Sequence, residues 1–225
     1  GFVSYDFPET NSIPVQIIER IEVIKGPASS TWGSALGGVV NIITKETGTK
    51  ARPKGTLSGT YGEHSTSDLR LDWAGKAGPV GYYLYAGRQE SDGIRNTRFF
   101  DSETFYGKLN LPLPSGMELK GSLGYSQPEY KYFYSPEWDD EWLINDKALY
   151  ANLDFTAPLT DSLTLNLAGH HLGTDLTDIG QWISTKDTYL KLQYQGKSNT
   201  ASGRLIWNSD VQTLVLGAEG EWRES

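Results

Sequence analysis

The side chains able to carry chemistry are few and scattered. His64, His170 and His171 are the only histidines and there is no cysteine, so neither a thiolate site nor an HExxH zinc helix can be assembled. His170 and His171 adjoin on a strand, which sends their rings to opposite faces and keeps them from sharing a metal. Gly196-Lys197-Ser198 looks like the end of a phosphate loop, but such a loop needs glycine where the chain has Lys191. Asp139, Asp140 and Glu141, with Glu137 nearby, offer oxygens to a calcium ion, although their spacing matches no defined calcium loop and an acidic turn accounts for them as well. No catalytic group and no cofactor are assigned, and the chain is expected not to be an enzyme.

Two segments mix aromatic rings with charge, as binding surfaces do. One is residues 94–100, IRNTRFF, with Arg95, Arg98, Phe99 and Phe100. The other is residues 130–145, YKYFYSPEWDDEWLIN, with Tyr132, Tyr134, Trp138 and Trp142. Either they capture a ligand, or they are solvated loops whose rings pack on neighbouring loops. Both readings stay open at this level.

Composition narrows what can hold these groups. The chain has 225 residues, 21% of them charged, and a mean hydropathy of -0.46, with no run of eighteen apolar residues, which excludes a spanning helix. A spanning strand needs only about ten alternating residues, so a membrane barrel stays possible. Thirteen Tyr, seven Trp and 25 Gly with one Met fit an all-β protein. A net charge of -8 argues against nucleic acid as a partner, since affinity for phosphate comes mostly from Lys and Arg. The first residues, Gly1-Phe2-Val3, are no export signal, and the chain is expected to be a fragment of an exported protein.

From Gly55 onward, alternation dominates. Leu57, Gly59 and Tyr61 oppose Ser58 and Thr60; Leu69, Leu71 and Trp73 oppose Arg70 and Asp72; Leu119, Leu123 and Tyr125 oppose Glu118, Lys120 and Ser122. The same holds for Leu149 to Phe155, for Leu163 to Leu167 and for Leu214 to Trp222. A soluble β-sandwich also has one apolar face. Two features favour a membrane barrel: aromatics close the apolar face at Tyr61, Trp73, Tyr125, Phe155 and Trp222, and the links alternate in kind. Tight turns at residues 76–80, 112–116 and 158–162 are separated by long links at 90–103, 127–146 and 174–187. Leu190, Leu192 and Tyr194 hold one parity, while Ala201, Leu205 and Trp207 hold the other, which predicts either a turn at 196–199 or one strand bulged there. The bulged strand is preferred and gives nine strands. Arg70, Asp72, Lys108, Glu118, Lys120 and Asp154 are expected to face the lumen.

The densest segment is residues 17–45. Arg20 to Lys25 alternates as a short strand, with Ile21 and Val23 on one face and Glu22 and Ile24 on the other. Gly26-Pro27 ends it, and Pro27 suits the start of a helical turn through Ser30 and Thr31. Gly33, Gly37 and Gly38 permit sharp turns before a second strand, Val39 to Thr44.

The run RIEVIKGPASSTWGSALGGVVNIITK resembles the closing segment of the plug in TonB-dependent outer-membrane receptors. The family pattern is a strand ending in Arg/Lys-Gly-Pro, a small-residue turn, Tyr-Gly, Gly-Gly and an Asn-Ile-Ile-Thr strand. Its counterparts here are Arg20, Glu22, Lys25, Gly26, Pro27, Ser30, Trp32 in place of the usual Tyr, Gly33, Gly37, Gly38 and Asn41. These residues are expected to fold the gate rather than touch cargo.

The resemblance implies a mostly β chain. Residues 1–48 would be the C-terminal part of a small α+β plug, and residues 49–225 the N-terminal part of an antiparallel transmembrane barrel, with about nine of about twenty-two strands. It implies a Gram-negative outer-membrane location and membrane lipid around the barrel. The cargo would be scarce: ferric siderophore, haem, cobalamin or an oligosaccharide. Energy would come from the TonB protein through an N-terminal box absent from this segment. Nine strands do not close around such a plug, so this polypeptide alone is expected neither to insert nor to transport. With the plug handing over on the periplasmic side, the turn at 62–67 is external. A soluble carbohydrate-binding or structural β-domain would explain the alternation but not the plug segment, and a passive porin would have no reason to carry a plug.

Overall fold

The computed structural model describes residues 13–26, 37–93 and 99–224. They belong to two compact units, Ile13–Glu46 and the chain from Thr47 onward.

The smaller unit is an antiparallel hairpin. A 3-10 turn at Val15–Ile17 leads into β1 (Ile18–Lys25), which pairs with β2 (Gly38–Thr44). Their register sets Ile21 against Ile42 and Val23 against Val40 on one face, and Glu22 against Asn41 on the other. The helical turn expected at Pro27 lies outside the described residues. Gly38 joins β2 with φ +123°, and a Cβ there would stand 2.4 Å from the Ile24 carbonyl oxygen. Only glycine meets both conditions.

The larger unit is a meander of nine antiparallel strands: β3 (Lys54–Tyr61), β4 (Ser67–Ala77), β5 (Val80–Ser91), β6 (Phe100–Pro112), β7 (Glu118–Ser135), β8 (Asp140–Pro158), β9 (Leu163–Trp182), β10 (Thr188–Asn208) and β11 (Thr213–Glu224). Each strand pairs with its neighbours in sequence, and β3 and β11 form the edges of an open sheet.

Directly paired residues share a face, so the ladders assign every side chain. One face carries Leu57, Leu71, Phe105, Tyr125 and Leu149 in one row, and Trp73, Leu84, Leu123, Ala151 and Trp222 in the next. The other carries Arg70, Asp72, Tyr83, Tyr85, Tyr106, Lys108, Lys120, Tyr150 and Asp154. Exposure runs opposite to that of a water-soluble sheet. Leu57 is 72% exposed, Leu153 55% and Leu216 71%, whereas Tyr83, Tyr85 and Tyr106 on the polar face are 1–3% exposed. A continuous exposed leucine surface needs an apolar environment.

The long links expected at 127–146 and 174–187 are not loops. β7 runs to Ser135, β8 begins at Asp140, and β9 runs to Trp182, leaving short turns at 136–139 and 183–187. The link at 90–103 likewise narrows, since β5 reaches Ser91 and β6 starts at Phe100. Charged residues within these stretches hid alternation that the ladders carry through. Strands of 18 to 21 residues exceed the roughly 9–11 needed to cross a bilayer, so about half of each of β7–β10 projects beyond it. The apolar rows lie toward the turns at 78–79, 113–117 and 159–162, so the projection is on one side only.

The parity switch in β10 has a different cause from the expected bulge. Gly196 pairs with Thr174 and Asn199 with His171 in unbroken register, and the shift falls between Thr188 and Leu190. Leu190, Leu192 and Tyr194 sit on the polar-face side of the projecting half; Ala201, Leu205 and Trp207 sit on the apolar face of the spanning half. One straight strand meets two environments.

Candidate functional site

In the hairpin unit, the motif residues build local structure. The Arg20 guanidinium donates to Glu22 at 2.9 Å and the Asn41 amide donates to the same carboxylate at 3.3 Å, tying β1 to β2. Lys25 pairs with Gly38, Gly26 takes φ +92°, and Gly37 has open space where a Cβ would lie. Pro27, Ser30, Trp32 and Gly33 lie outside the described residues.

The projecting half of β7–β10 brings rings together on the polar-face side. Trp142 pairs with Gly180, and Ile144 with Asp178 and through it with Leu192, so Trp142, Asp178 and Leu192 share that side. Two register shifts add to them. Tyr132 is the extra residue between Lys131 and Phe133, and Tyr189 the extra residue between Thr188 and Leu190. The second bulge turns Tyr189, which has the parity of Lys191, toward this side, whereas Tyr132 already shares the parity of Lys120 and Tyr130. Ring centroids are 6.4 Å apart for Tyr132–Trp142, 6.0 Å for Trp142–Tyr189 and 4.8 Å for Trp182–Tyr189. Tyr189 lies over Gly180, where a Cβ would meet its ring at 2.9 Å.

Two carboxylates border this wall. Asp140 accepts from the Tyr189 hydroxyl at 2.5 Å and from Trp142 Nε1 at 3.1 Å. Asp178, 7% exposed, accepts from the Tyr132 hydroxyl at 3.2 Å. Burial raises the Asp178 pKa above the usual carboxylate value, and the Tyr132 bond only partly offsets it.

The opposite side of the same half is an ion cluster. Glu141 is buried and receives Lys131 Nζ and Lys186 Nζ at 2.5 Å each and Gln181 at 2.7 Å. Burial alone would raise its pKa, but the bonds from Lys131, Lys186 and Gln181 hold it down at about 2. Asp139 joins the two hairpin tips, accepting from the Ser184 amide at 2.8 Å and its hydroxyl at 2.5 Å. Asp139, Asp140 and Glu141 therefore point to three different partners, and among the described residues no three metal-ligating side chains gather.

The aromatic candidates named from sequence divide accordingly. Tyr132 and Trp142 meet. Tyr134 lies under Lys131 Nζ at 5.1 Å and pairs with Glu141 on the far side. Trp138 caps the turn, 70% exposed, stacked on Phe133. The Phe99 carbonyl accepts from the Lys131 amide at 3.1 Å, and Phe100 pairs with Tyr130. Arg95 and Arg98 lie outside the described residues. Sequence reasoning missed Tyr189, which a bulge turns to this side, and Trp182 and Asp178, which lie in a stretch of β9 that was expected to be a loop. The available signal was Trp182 and Tyr189 flanking a turn directly opposite the 130–145 segment.

Sequence reasoning also missed a tyrosine ladder lower on the polar face. Tyr83, Tyr106 and Tyr150 follow one another at 6.1 and 6.2 Å, and Tyr83 donates to Asp72 at 2.8 Å. Tyr150 occupies the space a Cβ on Gly124 would take. His170 bonds Asn152 and His171 bonds Asn199, on opposite faces of β9.

The nine-strand sheet, with its leucine face exposed, defines a class of membrane protein, the outer-membrane β-barrel. Residues 2–39 match the model of the TonB-dependent receptor plug domain. The chain is 28% identical over 227 residues to the vitamin B12 transporter BtuB of Vibrio vulnificus, covering 95% of this chain and 35% of that protein. A 57-residue stretch, 25% of this chain and 8% of the relative, is 44% identical to the ferric enterobactin receptor of Pseudomonas aeruginosa. The siderophore receptor PiuA of Acinetobacter baumannii has the same fold, with TM-score 0.70 at 14% identity over 93% of this chain and 35% of its own. The chain belongs to the TonB-dependent receptors of the Gram-negative outer membrane, and it spans about a third of the full-length relatives it matches.

Proposed function

We propose that this chain is the plug end and the first nine barrel strands of a receptor that imports a scarce nutrient, a ferric siderophore, haem or cobalamin, with energy delivered through the TonB protein. The supporting observation is a plug-domain match before a sheet whose leucine face is exposed and whose polar face buries Tyr83, Tyr85 and Tyr106. The plug runs through residue 48 and the barrel begins at 49. The hairpin residues Arg20, Glu22, Gly38 and Asn41 hold the gate in shape, and cargo meets the projecting half of β7–β10 at Tyr132 and Trp142. Chemistry on the cargo is not part of this role: the relatives are named transporters and receptors. A soluble carbohydrate-binding domain is disfavoured, because its leucines would be covered and its polar side wet.

The test is uptake in cells lacking the gene and in cells with it restored. Labelled ferric siderophore, haem, cobalamin and oligosaccharide are each offered at limiting concentration. Restored uptake of one of them is expected; no change for any of the four overturns the reading.

A further inference from the structure

The projecting half of β7–β10 separates charge by face. On one side, Glu141 is neutralised by Lys131 and Lys186. Lys147, paired with Asp175, and Lys191, paired with Ile179, share that side, opposite to Asp178 and Leu192. On the other, among the described residues, Asp140 and Asp178 accept from neutral donors: Tyr189, Trp142, Tyr132 and the Ile179 amide. The Tyr189 hydroxyl donates to Asp140 at 2.5 Å, and burial, then Asp140 and to a lesser degree Asp178, raise its pKa. Four rings in continuous contact flank them, one of them, Tyr189, turned in by a bulge. Aromatic faces beside uncompensated carboxylates attract a cation and disfavour an anion.

We propose that this wall is a subsite for a cationic group of the cargo, with Asp140 and Asp178 as its counter-charges and Trp142 and Tyr189 as its cation–π faces. The cargo class it fits is a chelate or cofactor bearing an ammonium or similar cation, rather than an anionic tris-catecholate. This rests on the import reading and narrows it.

The receptor, purified in detergent from outer membranes, is titrated with two probes. One is ferrioxamine B, a ferric hydroxamate with a free ammonium; the other is its N-acetylated form, the same chelate without that charge. Quenching of intrinsic tryptophan fluorescence reads binding. The charged probe is expected to bind at least ten-fold tighter. A double variant, Asp140→Asn with Asp178→Asn, removes that preference, whereas Trp142→Phe, which keeps a ring, retains it. Equal affinities in the unmodified receptor, including no binding of either probe, overturn the subsite whatever the variants do. So does a preference that survives in the folded double variant. Nutrient uptake that persists while the charge preference is absent sinks the subsite alone; loss of every uptake activity from the unmodified receptor sinks the import reading.

Discussion

At the scale of single residues, Gly38 and Glu141 carry the sharpest consequences. Gly38→Ala forces a Cβ against the Ile24 carbonyl in a backbone region that L-residues rarely adopt. A cost of about 1–3 kcal/mol to the hairpin follows, and limited proteolysis of the purified receptor should show faster cleavage within residues 13–46. Gly37→Ala, with open space around it, should leave the cleavage rate unchanged. Glu141 is different in kind. Its carboxyl is depressed from 4.5 to about 2, so its stabilising effect is complete above pH 4.5 and is lost as pH falls through about 2. Glu141→Gln leaves Lys131, 13% exposed, without its counter-charge, at a cost on the order of 2 kcal/mol to the β7–β10 tips. Amide hydrogen exchange at residues 131–143 should rise in the variant at pH 7, and in the parent protein only under strong acid. Equal exchange in both proteins at pH 7 would contradict the ion cluster. None of the Glu141 cluster was legible in the sequence, because its partners lie 10, 40 and 45 positions away, in β7, in β9 and in the turn after it.

At the scale of elements, alternation revealed strand existence well and strand length poorly. Leu119, Leu123 and Tyr125 against Lys120 and Ser122 read plainly as a spanning stretch, and the ladder confirms it. Past Ser126 the side that faced lipid meets water, the leucines stop, and the continuing strand looked like a loop. The bulge at Tyr189 then moved one aromatic to the side that strand parity alone did not assign. The absence of cysteine makes the faces directly measurable. Single cysteines placed along β7 in the membrane-inserted receptor should alternate. Those at 119, 121 and 123 should resist a water-soluble maleimide and respond to a lipid-phase quencher, and those at 118, 120 and 122 should not respond to that quencher. A lysine at Leu123 should cost about 2–4 kcal/mol in unfolding from liposomes, and one at Ser122 much less. A response without period two along β7 would contradict the assignment of faces.

At the scale of the whole molecule, the plug segment identified the family from about thirty residues, since its glycines and Pro27 stand at the spacing of the family pattern. The nine-strand meander followed from turn chemistry. The aromatic wall did not, because it is assembled from four strands and one bulge. Energised import by the assembled receptor is the proposal that most needs a test. The measurement is accumulation of the cargo identified by the uptake assay, in cells carrying the receptor, with TonB present or deleted. Accumulation above the surface-bound level is expected only when TonB is present, and surface binding alone when it is absent. Equal accumulation in both strains would contradict it and would make the barrel a passive pore.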